Sequence, residues 1–380
     1  MTRVLILNAG SSSLKWAVLD AASEAVEEQG AATWEGMERG RHQAELRGLL
    51  EQLSPVDAVG HRVVHGGAAF REAAVVDEQV RAAIAALADL APLHNPLALA
   101  GIDAVAQAWP GVPQVAAFDT AFHATLPEAA ATYPLPRDWT HRWGLRRFGF
   151  HGLSVQYAVR RGRELLGTVP RRLVVCHLGA GCSVTAVADG RSVDTSMGFT
   201  PLEGLMMGRR SGSVDPGLLL HLLSRRAVTA TELDEALNER SGLLGVSGQS
   251  SDMRAIVAAA DAGDQQAALA RAMFAHRLVG AIGSMIATLH GLDALIFTGG
   301  IGEHSPWVRQ AVADAFGYAG LRLDAARNAR PTVDMDVAAD DSAVRVPVVA
   351  AREDLAVLGD VRRLLYPPPG LPGATSSERA

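Results

Sequence analysis

LILNAGSSSLKWAVLD (residues 5–20) and VVCHLGAGCSVTAVAD (residues 174–189) follow one grammar: an apolar run, a turn of small residues, then a second apolar run. Set one above the other with no gap, Gly10 meets Gly179, Ala17 meets Ala186, Val18 meets Val187 and Asp20 meets Asp189. Four identities in 16 positions are weak by themselves. Joined to the shared strand–turn–strand pattern, they point to a duplicated unit whose hairpin opens each half of the chain.

Each hairpin is followed by alternating strand and helix signals. In the first half, Val4–Leu7 and Leu14–Asp20 flank the turn Asn8–Ser13. A helix is predicted over 42–53 and a strand over Val56–Val64, ending in His65-Gly66-Gly67. A second helix over 77–90 stops before Pro92, and strand Val112–Phe118 runs into Asp119. In the second half, strands Leu173–His177 and Ser183–Asp189 flank Gly179–Cys182. A long helix over about 264–290 leads to strand Leu295–Thr298 and the turn Gly299–Gly302. Helix 306–317, strand Val344–Val349, helix 353–365 and a loose proline-rich end, Pro367–Ala380, complete the chain. Two rounds of this alternation predict two α/β domains with mixed sheets flanked by helices.

The 380 residues are enough for two or three domains, and 48% hydrophobic with 20% charged residues is a globular balance. A net charge of −6 provides no global positive field for a nucleic-acid backbone. Two cysteines, Cys176 and Cys182, exclude a disulfide scaffold and fit a reducing compartment. The N-terminal apolar run is too short for a signal peptide. The most apolar stretch, Leu278–Leu289, is interrupted by Gly280 and Gly283 and falls short of the ~20 residues of a membrane span. A cytoplasmic protein with no membrane or nucleic-acid partner is expected.

Of the 35 basic residues, only Lys15 is a lysine. In a chain that otherwise chooses arginine, a lone lysine after a Gly-Ser turn suggests a point charge suited to phosphate. No G-K-[ST] follows a glycine loop, so this is not a Walker A motif, and Thr298–Glu303 lacks the third glycine of a dinucleotide fingerprint. His61 and His65 bracket Arg62 at a strand end; on a strand their spacing suits structural roles better than shared metal ligation. Asp119 ends a strand, His151 sits between glycines on an aromatic turn, and Arg209-Arg210 lie in a glycine-rich loop. Each of these alone is equally readable as a surface loop.

Taken together and in order, VLILNAGSSSLK, HRVVHGG, FDTAFH, RRFGFHG, CHLGAGCSV, MGFTPLEGLMMGRRSGSVDPG and TGGIGEH resemble the acetate and propionate kinase family from residue 4 to about 359. The resemblance implies two duplicated actin-like domains, residues 1–121 with 354–380 and residues 122–353, with the active site in a cleft between them and a homodimeric assembly. It implies reversible, direct in-line transfer of the γ-phosphoryl of ATP to a short carboxylate, acetate or propionate, with Mg2+ or Mn2+. By the same resemblance Asn8 and Glu353 belong to the metal site. Lys15, His177-Leu178-Gly179-Ala180-Gly181, Asp252-Met253-Arg254 and Gly300-Ile301-Gly302-Glu303-His304 belong to nucleotide binding. Arg62 holds the substrate carboxylate, His94 is a further active-site histidine, and Val64, Leu93, Phe150 and Pro201 enclose the acyl methyl. His151 and Arg210 stabilise the transition state, and Asp119 orients Arg62 or the metal's waters.

Four positions depart from the family pattern. Ala180 and His304 stand where asparagine is usual, Arg352 precedes Glu353 in place of asparagine, and Arg209 replaces a smaller residue. A nucleotide-binding clamp without enzymatic activity would need the glycine turns but not Arg62, Asp119, His151 and Arg210; all four are present. A sugar kinase on the same fold would need polar sugar contacts where Val64, Leu93, Phe150 and Pro201 stand.

Overall fold

The computed structural model describes residues 2–10, 13–33, 39–92, 94–330 and 334–367. The chain forms two compact units, residues 1–124 with 352–380 and residues 125–351, and each is built on its own six-stranded sheet. The first contains β1 (Arg3–Ala9), β2 (Ser13–Asp20), β3 (Val26–Thr33), β4 (Ala58–Val63), β5 (Ala74–Val75) and β6 (Gln114–Phe118), in the order β3-β2-β1-β4-β6-β5. The second contains β7 (Arg172–Leu178), β8 (Cys182–Ala188), β9 (Arg191–Thr195), β10 (Ala294–Thr298), β11 (Met335–Asp336) and β12 (Pro347–Val348), in the order β9-β8-β7-β10-β12-β11 when read from the same edge. In each sheet three antiparallel strands are followed by two parallel ones and a short antiparallel edge. The duplication seen in the sequence is therefore a duplication of topology.

The residue matches in that duplication need correction. In the first hairpin Asn8 pairs with Lys15 and Ala9 with Leu14; in the second His177 pairs with Ser183 and Leu178 with Cys182. The first turn is one residue longer, so a gap falls inside it. A bulge marks the frame beyond the gap: the ladder to the third strand shifts between Val18 and Leu19 in one unit and between Ala186 and Val187 in the other. Val18 thus corresponds to Ala186, not Val187, and Lys15 to Ser183. Because side chains alternate faces with period two, this single residue decides which side chains face the same way.

Two sequence features explain the packing near the strand ends. The helix Glu353–Leu365 lies on β1, β4 and β6 and approaches β4 at Gly60, where a Cβ would stand 2.6 Å from Val357 Cγ1. In the second unit, helix Gln265–Leu289 runs against β7, β8 and β9 with a stripe of Phe274, Leu278, Ile282 and Met285 buried. It is long and apolar enough to cross a membrane by length and composition, and it packs its buried stripe on the sheet.

The strands unforeseen in the sequence are β3, β9 and the two-residue β5 and β11. β3, VEEQGAAT, is an edge strand with mostly exposed side chains, so it has no apolar alternation to announce it. Conversely, the apolar Val344–Val349 keeps only Pro347–Val348 as strand, because β12 meets its neighbours over one or two residues. The proline-rich end beyond residue 367 lies outside the described residues.

Candidate active site

β1, β4 and β6 are parallel neighbours, so their C-terminal ends open on one edge of the first sheet. Asn8 lies near the end of β1, Arg62 near the end of β4, and Asp119 directly after β6. Arg62 donates to both oxygens of Asp119, Nε to Oδ1 at 3.0 Å and Nη2 to Oδ2 at 2.6 Å. Its Nη1 donates to Asn8 Oδ1 at 3.1 Å and pairs with Glu353 Oε2 at 3.0 Å. Asn8 Nδ2 donates to the same Glu353 oxygen at 3.3 Å. Glu353 comes from the first residue of its helix, where a carboxylate also meets the positive end of the helix dipole.

The Asp119 side chain is only 2% exposed, and those of Arg62 and Glu353 are below 20%. Burial by itself lowers the Arg62 pKa, but Asp119 and Glu353 outweigh it and hold the guanidinium charged well above its ordinary value. For Glu353 burial dominates, reinforced by Asp119; together they raise its carboxyl pKa against the opposing pull of Arg62 and Lys15. Two carboxylates and an amide oxygen converge on one guanidinium. These are hard oxygen donors of the kind Mg2+ uses with substrate phosphates and water, and an added cation would favour the ionised form of Glu353 that burial disfavours. The residues present fit such a metal.

The neighbouring turn is fixed from both sides. Asn95 Oδ1 accepts from His65 N–H at 3.1 Å, and Asn95 Nδ2 donates to the His65 carbonyl at 3.0 Å. Thr120, next to Asp119, accepts from Gly66 N–H at 3.0 Å. Neither Asn95 nor Thr120 was anticipated as part of the site, although each sits beside a residue that was, His94 and Asp119. Val64 and His94 are half-buried here, and Lys15 is exposed beside Asn8 in the ladder. Leu93 and two residues of the first turn, Ser11 and Ser12, lie outside the described residues. His61 points away toward Gly101, its Nε2 2.7 Å from Gln114 Oε1; burial lowers its pKa to about 4. It is a structural histidine, and among the described residues no group of three or more His, Cys, Asp or Glu side chains is placed to hold a metal.

The second unit gathers a different set. His151, at φ 60°, precedes helix Gly152–Leu166, and its Nδ1 lies 3.0 Å from Ser183 Oγ on β8. Its ring packs on that of His177 at 4.1 Å between centroids and 31° between planes. His177, one residue from the end of β7, is held through Nδ1 by Ser154 Oγ at 2.8 Å. The turn Gly179-Ala180-Gly181 follows, and a Cβ added to Gly181 would stand 3.2 Å from His151 Nε2 and 3.6 Å from Arg210 Nη1. Two side-chain nitrogens therefore flank one glycine. Arg210 Nη1 also donates to the Pro201 carbonyl at 3.4 Å, and no carboxylate is within ion-pair distance of it among the described residues. Burial lowers its pKa, only partly offset by Glu239 and Cys182. A guanidinium without a carboxylate beside a glycine turn is a place for an anion.

The remaining nucleotide candidates contribute main chain more than side chain. Leu178 and Met253 are buried, Asp252 caps helix Met253–Asp261 through the Arg254 N–H, and Asp252 and Arg254 pair at 2.7 Å. The expected turn Gly299–Gly302 is the start of a helix, Gly299–His304; Gly299 stands at φ 77°, and a Cβ there would come within 2.8 Å of the Leu178 carbonyl, so only glycine lets this helix begin against the end of β7. Gly300 and His304 are exposed, whereas Gly302 is buried. Thr298 ahead of them has a buried hydroxyl with no hydrogen-bond partner among the described residues.

Sequence reasoning missed what holds these loops. Arg309, fully buried, donates to the carbonyls of Gly302 at 2.6 Å, Glu303 at 2.9 Å and Asn328 at 2.8 Å, and to Asn328 Oδ1 at 2.8 Å. Arg147 donates to the carbonyls of Thr195, Ser196 and Met197 and to Glu203, whose other oxygen bonds the Tyr133 hydroxyl. Phe150 is buried and Pro201 half-buried in this same unit. Arg147 stood in the RRFGFHG motif, so a signal existed; Arg309 had none.

The model of the acetokinase family matches residues 41–359. The chain belongs to the acetokinase family. Acetate kinase of Nostoc punctiforme is 46% identical over 93% of this chain and 97% of its own length. The crystal structure of Porphyromonas gingivalis acetate kinase superposes with a TM-score of 0.89 at 36% identity, covering 96% of this chain and all of that one. A propionate kinase from Francisella tularensis gives 0.87 at 35%, covering 95% and 99%. The two matched sheets are thus the duplicated actin-like fold of this family, and the acetokinase described here is an ATP-using phosphotransferase with a carboxylate acceptor.

Proposed function

We propose that this acetokinase phosphorylates acetate, with propionate as its closest competitor, in a reversible magnesium-dependent reaction. A carboxylate oxygen attacks the γ-phosphorus of ATP in line. The new C–O–P bond forms as the bond from Pγ to the β–γ bridging oxygen breaks, and ADP leaves with that electron pair. The products are acyl phosphate and ADP. A carboxylate needs no base at neutral pH, so the obstacle is charge, and the protein's task is positioning and shielding.

Arg62 holds the acid's carboxylate, oriented for it by Asp119. Asn8 and Glu353 would hold Mg2+, which when bound shields the phosphates' charge. Lys15, the strand end and turn at His177–Gly181, the helix start at Asp252–Arg254 and the short helix at Gly300–His304 hold the nucleotide. His151 Nε2 and Arg210 donate to the oxygens of the transferring group, and His94 lies beside the acid. Val64, Leu93, Phe150 and Pro201 enclose the methyl. The observation that carries this reading is Arg210, a half-buried guanidinium with no carboxylate paired to it among the described residues, next to His151 across Gly181.

A homodimer in the cytoplasm completes the reading. Helix Pro216–Ser224, PGLLLHLLS, has no buried residue, with Leu218 and Leu220 50% and 67% exposed. A second copy covering that face would remove the apolar surface from water. The two cysteines are free, as a reducing compartment keeps them.

The test is hydroxamate trapping with ATP, Mg2+ and straight-chain acids from two to five carbons. Product with acetate and propionate, abolished by excess EDTA, is expected. No product with any acid overturns the kinase reading, and undiminished product in EDTA overturns the metal.

A further inference from the structure

The register of the two hairpins puts Ser183 where the first unit has Lys15: each is the cross-strand partner of the polar residue near the end of the first strand, Asn8 or His177. Lys15 is exposed and charged. Ser183 is fully buried, and its hydroxyl meets His151 Nδ1 at 3.0 Å. We propose that Ser183 is a positioning residue for phosphoryl transfer, holding the His151 ring so that Nε2 is presented as a hydrogen-bond donor over the Gly179–Gly181 turn. This rests on the reading of His151 as a donor to the transferring group.

Three observations converge on it. His151 has a left-handed backbone without being glycine, at the entrance to helix Gly152–Leu166, so its ring leaves the chain from an uncommon conformation. The ring packs on His177 with the planes tilted by 31°, and Ser154 pins His177 in turn, so the pair forms a packed unit with one serine on each Nδ1. The Nε2 edge of His151 and Arg210 Nη1 then lie 3.2 and 3.6 Å from the one point where a Cβ of Gly181 would be.

The chemistry gives the serine its purpose. A hydroxyl that donates to Nδ1 leaves the imidazole proton on Nε2. The ring is then a donor while neutral, and no second positive charge has to be placed beside Arg210. In the first unit the equivalent position carries a cation, Lys15. In the second, the cation is already supplied by Arg210, and the position carries a hydroxyl.

A double-mutant cycle on the full-length enzyme tests this, with kcat and both KM values measured for wild type, Ser183→Ala, His151→Ala and the double variant. Ser183→Ala is expected to lower kcat about tenfold with both KM values within about twofold, and to cost nothing further once His151 is alanine. Losses that multiply in the double variant, an unchanged kcat in Ser183→Ala, or an effect confined to KM for ATP would each overturn the proposal. A His151→Ala enzyme with wild-type kcat would instead remove the reading of His151 itself, which separates the two failures.

Discussion

Arg62 is clamped by Asp119 in a bidentate pair, Nε to Oδ1 and Nη2 to Oδ2, with one partner from the end of β4 and the other just past β6. The pair fixes the plane of the guanidinium, while Asn8 and Glu353 share its Nη1. Arg210 in the second unit has no such clamp. Two arginines of one enzyme are thus prepared differently, one oriented in advance and one left for an incoming anion.

That difference predicts different kinetics. Arg62→Ala should raise KM for the acid about tenfold or more, and should also lower thermal stability, because Asp119 is left buried without its partner at a cost of about 3 kcal/mol. Arg210→Ala should lower kcat about 100-fold or more with a smaller change in KM. Steady-state kinetics with both substrates varied checks this; modest effects on KM alone in both variants would contradict the assignments.

Lys15→Arg keeps the charge and should still impair the enzyme. Lys15 begins one pair from the turn at Gly10, whose N–H bonds the Ser13 carbonyl at 2.9 Å, and a planar guanidinium is broader than an ammonium there. KM for ATP is expected to rise several-fold. A wild-type kcat/KM for ATP would show that the ammonium is incidental.

His61 makes stability depend on pH. Its folded pKa is lowered by burial to about 4 from an ordinary 6.5, so between those values the unfolded chain binds a proton that the folded chain refuses. The contribution is fully present above about pH 6.5 and is lost as pH falls toward 4, on the order of 3 kcal/mol in all. Urea midpoints at pH 7 and pH 5 should fall less in His61→Gln than in wild type. Equal falls would place the acid sensitivity elsewhere.

Arg309→Met should uncouple the segment Gly302–Glu303 from its support. Four hydrogen-bond acceptors lose their donor in the interior, which predicts a loss of about 3–5 kcal/mol of stability. Because Arg309 ties Gly302 and Glu303 of the nucleotide segment to Asn328, KM for ATP should rise while KM for the acid stays put. A thermal melt and the two KM values decide it; an unchanged ATP KM would mean that the segment keeps its shape without Arg309.

The strands that carry the site were legible because they are short, buried and apolar and end abruptly in polar residues. Leu5–Leu7 runs into Asn8, Val115–Phe118 into Asp119, and Leu295–Phe297 into Thr298. Strand ends of parallel sheets expose side chains to one edge, so motif and position coincide. The edge strand β3 was not legible, since exposed glutamates and glutamine alternate with nothing. The hairpin register is ambiguous in the sequence for a physical reason: turns of three and four small residues, Gly-Ala-Gly and Gly-Ser-Ser-Ser, look alike, and only the ladder and its bulge show the difference. Arg309 was illegible in another way. An arginine in a helix reads as a solvent-facing residue, and its burial depends on carbonyls that a one-letter sequence does not show. Ser183 and Asn95 were hidden likewise, as small polar residues whose roles come from a partner brought in by the fold.

The central claim is phosphoryl transfer between ATP and a short carboxylate, and phosphorus NMR of the purified enzyme with ATP, acetate and Mg2+ tests it most directly. The account predicts an acetyl phosphate resonance growing in equal amount with ADP, and its reversal to ATP when acetyl phosphate and ADP are supplied instead. ADP accompanied by inorganic phosphate alone, at the same rate with or without acetate, would contradict it.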